Sequence, residues 1–332
     1  MLNSMQKKNR VSKTLLLLPV LLILFSLVIP SCKPGVGLSD KQKLELVNDI
    51  KAFEQKLEFN DTGNFLTYSG EIKAYDYYFF TSSTELPYSL DDPTLQTGIG
   101  ARKSVTIDPE KHDAYFYSIP AIAGVETPVT KSLLNEPLYR FIHVIFHEDW
   151  HEQINLPLGL EEPCSEVVGY TAAILFTEEK FGADSEVHKT LKKHFNNKLR
   201  ESEIYQDYYE KLNALYTRFH AGEIADTEIF INKARLLESM GKELRGVWAG
   251  GKPGQLNNAF IAFQMTYLRH LPIMHEVLSA TDFDLIKTIE VFRSMPGQGS
   301  SFDNLDEVKA IEKQVTDYLY DNLPESRTNQ GI

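Results

Sequence analysis

The pattern of hydrophobic and polar positions divides the chain into three parts that differ in the secondary structure they predict. Apolar side chains recur every third or fourth residue between 44 and 57, behind Ser39, so we expect an amphipathic helix that Ser39 caps. From residue 65 to about 122 the apolar residues are mainly aromatic and β-branched. Beyond Val129 the helical spacing returns and continues almost to the end of the chain.

The aromatic part predicts a small sheet. Residues 74–81, 104–107 and 114–117 are rich in aromatic and β-branched side chains, and proline, glycine and aspartate turns separate them. We interpret these three runs as strands. The tyrosine–phenylalanine run at 77–80 is better explained as a strand that is buried on both faces than as the wall of a substrate cleft.

The remainder predicts helices that are joined by short loops. Asn135 and Pro137 supply a capping residue and a first-turn proline for a helix that includes residues 147–151, and Gly182 ends the next helix. The other helices are expected at about 161–180, 185–220, 226–246, 257–279, 282–295 and 303–323. The fold class that follows is α+β and helix-dominated, with a small N-terminal sheet and a mainly helical C-terminal part.

Composition is typical of a globular protein and separates the first 31 residues from the rest. The chain is 42% hydrophobic and 24% charged, values that suit a large buried core. Its net charge of −12 argues against a nucleic-acid-binding surface. Four of the 34 basic residues and none of the 46 acidic residues lie in residues 1–31, so the remainder carries a charge of −16.

An apolar run behind these basic residues has the length of a secretory signal. It extends from Leu15 to Ile29 and is shorter than the roughly 20 residues that a stable transmembrane helix needs. Residues 29–32 resemble a bacterial lipobox, which implies cleavage after Ser31 and a lipid on Cys32. We therefore expect an exported protein that is lipid-anchored to the cell envelope, at the outer membrane or the periplasmic face. An uncleaved N-terminal anchor is the alternative.

The most informative string is His-Glu-Asp-Trp-His at residues 147–151, which satisfies the H-E-x-x-H pattern inside a predicted helix. Because residues four apart share one face of a helix, His147 and His151 can converge on a single metal ion. Glu148 can then reach a water molecule beside that ion and act as a general base. Asp149 either orients an imidazole through its free N–H or stays in solvent. The alternative is a surface helix with incidental histidines.

Two histidines leave the ligand set of a catalytic zinc incomplete, because such sites usually have three protein ligands. Eight residues of helix put His143 about 12 Å from His151 along the axis, too far for both to bind one ion, so we expect a supporting or core role for His143. Glu161, Glu162 and Glu166 at the start of the next helix are better placed. Periodicity does not choose between Glu162 and Glu166, and the helix dipole by itself also favours acidic residues in a first turn.

Residues 161–169 resemble the N-E-S-F-A-x-F-V-G element that follows an H-E-L-A-H motif in a family of bacterial predicted zinc aminopeptidases. The resemblance extends over most of residues 40–295. It implies a zincin-like fold, one zinc ion per chain and Glu162 as the third ligand. The chain departs from the family pattern at residues 149–150 and within 161–165, but these departures remove no implied ligand.

The motif and the resemblance together imply zinc-dependent hydrolysis of a peptide substrate by an aminopeptidase, with Glu148 as the general base. Glu161 or Glu166 is a candidate for binding the substrate's free ammonium group, and Tyr170 or Tyr267 for stabilising the oxyanion. Two alternatives stay open. One is a lipid-anchored binding or scaffold protein of the cell envelope with a structural or vestigial metal site, and the other is a zinc endopeptidase that acts on envelope peptides.

The expected domain organisation is a signal peptide, a tether, one metallopeptidase-like domain and a short tail. The domain divides into a part with the first helix and the sheet and a helical part with the metal site. The corresponding residues are 1–31 for the signal peptide, 32–38 for the tether, 39–125 and 126–325 for the two parts of the domain, and 326–332 for the tail.

Overall fold

Helices account for most of the chain that the structure describes. The computed structural model describes residues 37–124, 126–247 and 256–323, and these residues belong to one compact unit. The expected signal peptide, the predicted lipid-bearing Cys32 and the predicted tail lie outside the described residues. None of the described helices is both long enough and apolar enough to cross a membrane.

Among the described residues, the strands lie in the N-terminal half of the chain. The helices are α1 (Asp40–Lys56), α2 (Lys131–Asn135), α3 (Leu138–Trp150), α4 (Leu158–Phe181), α5 (Glu186–His220), α6 (Asp226–Leu244), α7 (Asn258–Leu268), α8 (Leu271–Ala280), α9 (Leu285–Arg293) and α10 (Leu305–Asn322). The strands are β1 (Tyr68–Ser69), β2 (Tyr75–Ser82), β3 (Gln96–Ile99), β4 (His112–Ile119) and β5 (Val129–Thr130). The predicted helix-dominated α+β class, with its small sheet and helical C-terminal part, is confirmed.

The first helix begins where the sequence places its cap. The Ser39 side chain accepts a hydrogen bond from the Gln42 backbone N–H, and the Gln42 side chain accepts one from the Ser39 N–H. This reciprocal pair satisfies donors that a helix start otherwise leaves free. Val47, Ile50 and Phe53 are buried, as their spacing predicts, and Phe53 contacts an aromatic ring of α3.

A three-stranded antiparallel sheet, in the order β3-β2-β4, forms most of the aromatic part. Strands β2 and β4 contain two of the predicted runs. The predicted strand at 104–107 is wrong, because the third strand is β3, whose polar sequence with a glycine carries little strand signal. A Cβ at Gly98 would lie 2.3 Å from the ring of Tyr78 in β2, so the missing side chain lets that ring lie across β3.

Two helix boundaries also differ from the prediction. The expected helix at 257–279 is two helices, α7 and α8. Pro272 at the start of α8 has no N–H with which to continue the hydrogen-bond ladder of α7. Helix α4 begins three residues before its predicted start, with Pro157 at the cap position.

Helix α3 lies at the centre of the hydrophobic core. Its fully buried side chains include Phe141, Ile142, Ile145, Phe146 and Trp150. Helix α4 crosses α3 closely, because a Cβ at Gly169 would lie only 3.2 Å from the backbone of His147. On another side, α7 packs against the sheet, where Phe263 contacts Phe79 and Tyr115. Helices α3, α4 and α7 and strand β4 therefore surround one space, which contains the candidate site.

Candidate metal centre

Both histidines of the H-E-x-x-H string converge beside α3. His147 is in the last turn of the helix, and His151 follows at the C-cap with right-handed helical φ and ψ angles of −56° and −25°. The four-residue spacing therefore keeps its helical geometry although α3 ends at Trp150. The Nε2 atoms of the two imidazoles lie 3.2 Å apart.

The third group of the site comes from α4. Glu162 Oε2 lies 3.1 Å from His147 Nε2 and 3.5 Å from His151 Nε2. The helix dipole does not account for this carboxylate, because only Glu161 belongs to the first turn of α4. The structure thus brings Glu162, and not Glu166, to the two histidines.

The spacing of these three atoms suits a four-coordinate metal ion. When four ligand atoms surround a metal ion as a tetrahedron, each about 2.0–2.1 Å from the ion, they lie about 3.3–3.4 Å from one another. The measured separations are 3.1, 3.2 and 3.5 Å, and the side chains are largely buried. His147, His151 and Glu162 can therefore hold a metal ion with two nitrogen donors and one carboxylate oxygen.

Glu161 supports the His151 ring from its other side. Glu161 Oε1 lies 2.6 Å from His151 Nδ1, and Ser165 Oγ lies 3.4 Å from the same nitrogen. When Nδ1–H donates to the carboxylate, Nε2 presents its lone pair toward Glu162 and His147. Glu161, a predicted candidate for ammonium binding, therefore contacts His151, which is a candidate metal ligand.

The ionisable groups of the site are strongly coupled. Burial disfavours the charged form of Glu162, but the positive charge of His151 and hydrogen bonds from both histidines hold its pKa well below the usual value. Burial also disfavours a charged His151, yet the Glu162 charge and hydrogen bonds to Glu161 and Glu162 raise its pKa well above the usual value. A metal ion and a proton compete for the same imidazole lone pair, so metal binding weakens as the pH falls.

A cavity of about 580 Å³ lies beside the three groups and is large enough for a small ligand. Glu148 lines this cavity together with them. Burial raises the pKa of Glu148 to about 7, against the opposing charges of His147 and His151. A carboxyl group with a pKa near neutrality can both accept and release a proton, as a general base and acid must.

The cavity wall also includes residues that no motif in the sequence indicates as part of a site. Tyr115 and Tyr117 come from β4, Lys198 from α5, and Gln264 from α7. Their separation along the chain is large, and no local spacing connects them to the H-E-x-x-H string. Only the packing of distant elements brings these side chains to the candidate metal ligands.

The two tyrosines that were predicted as oxyanion donors lie in different surroundings. Tyr267 lines the cavity, and its ring is nearly parallel to that of His147, with 6.5 Å between the ring centroids. Burial raises the pKa of Tyr267 well above its usual value, so its hydroxyl keeps its proton at neutral pH. Tyr170 instead packs against His143, with ring centroids 3.9 Å apart.

A second buried group lies one turn earlier along α3. His143 Nε2 is 3.7 Å from Glu166 Oε2, and Lys198 Nζ is 2.9 Å from the other carboxylate oxygen, Glu166 Oε1. Burial and the charge of neighbouring His147 lower the pKa of His143 well below its usual value, so the ring is neutral at physiological pH. His143 and Glu166 form a group with His147 that does not include His151.

Asp149 ties the H-E-x-x-H string to the first helix and the loop that follows it. Its buried carboxylate accepts hydrogen bonds from Lys51, Thr62 and Asn64. Neither predicted role, orienting an imidazole or remaining in solvent, is observed. The reason is that α1 packs against α3 and presents a cation to a side chain that has no access to water.

We expect Lys51→Met to lower the free energy of unfolding by about 3–5 kcal/mol, because it leaves the buried carboxylate of Asp149 without its cation. Urea unfolding followed by circular dichroism measures the difference. Lys180→Met is the matched control, because Lys180 pairs with Asp49 between α4 and α1 on the exposed surface. A loss of no more than about 1 kcal/mol is expected there. Equal losses in the two variants would contradict the argument.

The chain matches no protein-family model, no curated protein and no solved structure. The class of the site is therefore defined by its geometry alone. It is a largely buried group of two histidines and one glutamate that can hold a metal ion, beside a cavity that Glu148 also lines.

Proposed function

We propose that the chain is a zinc-dependent hydrolase of peptide bonds that acts at free amino termini. One observation carries the proposal: three ligand atoms at tetrahedral spacing share a cavity with Glu148, whose pKa is about 7. A base beside the ligands favours hydrolysis, because a purely structural metal site does not need one. The resemblance of residues 161–169 to the aminopeptidase element supports the restriction to free amino termini.

The donor set favours zinc among the common metal ions. Two imidazole nitrogens and one carboxylate oxygen are a frequent ligand set of catalytic zinc, whereas calcium and magnesium prefer oxygen ligands. When bound, zinc supplies Lewis-acid chemistry, because it lowers the pKa of water toward about 7 and polarises a carbonyl group. Glu161 would hold the His151 ring in the orientation that binding requires.

Glu148 moves the proton in the proposed reaction. Its carboxylate takes a proton from the attacking water and then delivers it to the departing amine. A pKa of about 7 suits both transfers, because the group is neither too weak a base for the first nor too weak an acid for the second.

Tyr267 is the proposed donor to the oxyanion that develops on the substrate carbonyl. Its protonated hydroxyl can donate a hydrogen bond at neutral pH, and its ring lies in the cavity wall next to His147. Stabilising a charge that is present only near the transition state increases the rate without tightening substrate binding.

Metal removal from the purified full-length chain tests the proposed function. We expect elemental analysis to find about one zinc ion per chain. We also expect the protein to hydrolyse aminoacyl p-nitroanilides. Treatment with 1,10-phenanthroline should abolish the hydrolysis, and added zinc, but not magnesium, should restore it. N-acetylated versions of the same substrates should be hydrolysed far more slowly.

Each competing function gives a different result. Activity that survives complete metal removal contradicts the proposed mechanism. Zinc binding without hydrolysis of any peptide indicates a structural or vestigial site in a binding protein. Equal rates on free and N-acetylated peptides indicate an endopeptidase.

A further inference from the structure

Two buried polar atoms near the candidate metal ligands have no hydrogen-bond partner in the described part of the chain. They are His143 Nε2 and Glu166 Oε2. Their residues are 7% and 4% exposed, and both line the cavity. The 3.7 Å between the two atoms is too long for a hydrogen bond, so both remain available to a donor from the cavity.

Neighbouring side chains hold these two atoms in place. Lys198 Nζ binds the other carboxylate oxygen, Glu166 Oε1, at 2.9 Å. Tyr170 packs on the face of the His143 ring. The His143 ring can present a lone pair at Nε2, and Glu166 Oε2 has no partner among the described residues, so the pair offers two acceptors, while Lys198 pairs with the carboxylate through its other oxygen.

The pair lies close enough to a candidate metal ligand to contact the same residue of a bound peptide. One ligand-type atom each of His143, Glu166 and His147 lies within 4.8 Å of the others, so the pair borders one of the candidate metal ligands. In a peptide, the terminal nitrogen is two bonds from the first carbonyl carbon, a distance of about 2.5 Å. A carbonyl that is held at the candidate metal ligands can therefore place the nitrogen of the same residue within reach of the pair.

We propose that His143 Nε2 and Glu166 Oε2 bind the free α-ammonium group of the peptide substrate. This subsite rests on the proposed function and specifies its substrate as a peptide with an unblocked amino terminus. The ammonium N–H groups donate to both atoms, and the third N–H faces the cavity. Glu161, the other predicted candidate, is engaged by His151 and is not needed for this contact.

An ammonium group fits this position better than a second metal ion. A second divalent cation would bring two positive charges next to Lys198 and the first metal ion, whereas an ammonium group brings one. Its N–H donors also satisfy two acceptors that are otherwise buried without partners, a situation that is costly in a folded protein.

Binding of L-leucinamide and of N-acetyl-L-leucinamide to the zinc-loaded full-length chain tests the inference. A Glu148→Gln background prevents turnover, and isothermal titration calorimetry reads the affinities. We expect L-leucinamide to bind at least about 10-fold more tightly, and Glu166→Gln and His143→Phe each to remove about 10-fold or more of that preference. Glu179→Gln, an exposed change on the same helix, should leave it unchanged.

Further measurements separate the possible failures. Because Glu166→Gln leaves Lys198 buried without its partner, the double variant Glu166→Gln/Lys198→Met must show the same loss while it keeps a folded spectrum. An unchanged preference in the Glu166 and His143 variants overturns the inference, as does a second bound zinc that Glu166→Gln removes. If the preference behaves as expected but the wild-type chain hydrolyses no peptide, the subsite stands and the proposed function fails.

Discussion

Glu148→Gln is expected to lower kcat for hydrolysis of an aminoacyl substrate by about 10²–10⁴-fold while the zinc content stays at the wild-type value. Glutamine has nearly the same size and shape as glutamate, but it cannot accept the proton of the attacking water. The side chain is not one of the three groups at tetrahedral spacing, so its loss should not release the metal. Steady-state kinetics and elemental analysis on the same preparation measure both quantities.

A matched variant and the metal content together make this result specific. Glu179→Gln changes an exposed glutamate of α4 that pairs with Lys56 at the surface, and it should behave as the wild type. Full activity in Glu148→Gln would exclude Glu148 as the base. Loss of zinc in that variant would instead place Glu148 among the ligands.

Glu162→Ala is expected to weaken zinc binding by more than about 100-fold, and hydrolysis should disappear with the metal. Replacing a side chain that only orients a ligand typically costs about 10–100-fold in metal affinity, so removal of a direct ligand should cost more. The same substitution removes the negative charge that the two histidines share. Competition with a chromogenic chelator at fixed pH measures the affinity.

Glu166→Gln is the comparison that makes the Glu162 result decisive. Glu166 faces Lys198 and His143, and not the pair formed by His147 and His151, so this variant should keep its zinc. Normal zinc affinity in Glu162→Ala together with weak binding in Glu166→Gln would assign the third ligand to Glu166.

Local patterns in the sequence predicted the elements that depend on local interactions. The Ser39 cap, the buried face of α1 and most helices of the C-terminal part follow from spacing and capping chemistry, which act over a few residues. The aromatic runs in β2 and β4 were predicted for the same reason, because strand formers alternate with turn residues there.

The errors occurred where a distant contact outweighed the local signal. Strand β3 has a weak strand sequence, and it pairs with the distant strand β2, where the ring of Tyr78 lies across Gly98. Asp149 resembles a solvent-exposed acid in the sequence, but the approach of α1 buries it against Lys51. The spacing of residues near these positions in the sequence predicts neither contact.

The sequence by itself determined the pair of histidines and the neighbouring glutamate, because a spacing of four on a helix brings His147 and His151 together whatever surrounds them. Only the tertiary structure decided which side chains the glutamates of α4 contact. Close packing of α3 and α4 at Gly169 brings Glu162 to both imidazoles, and α5 supplies Lys198 to Glu166. Helical periodicity treats these carboxylates alike, and the positions of neighbouring helices distinguish them.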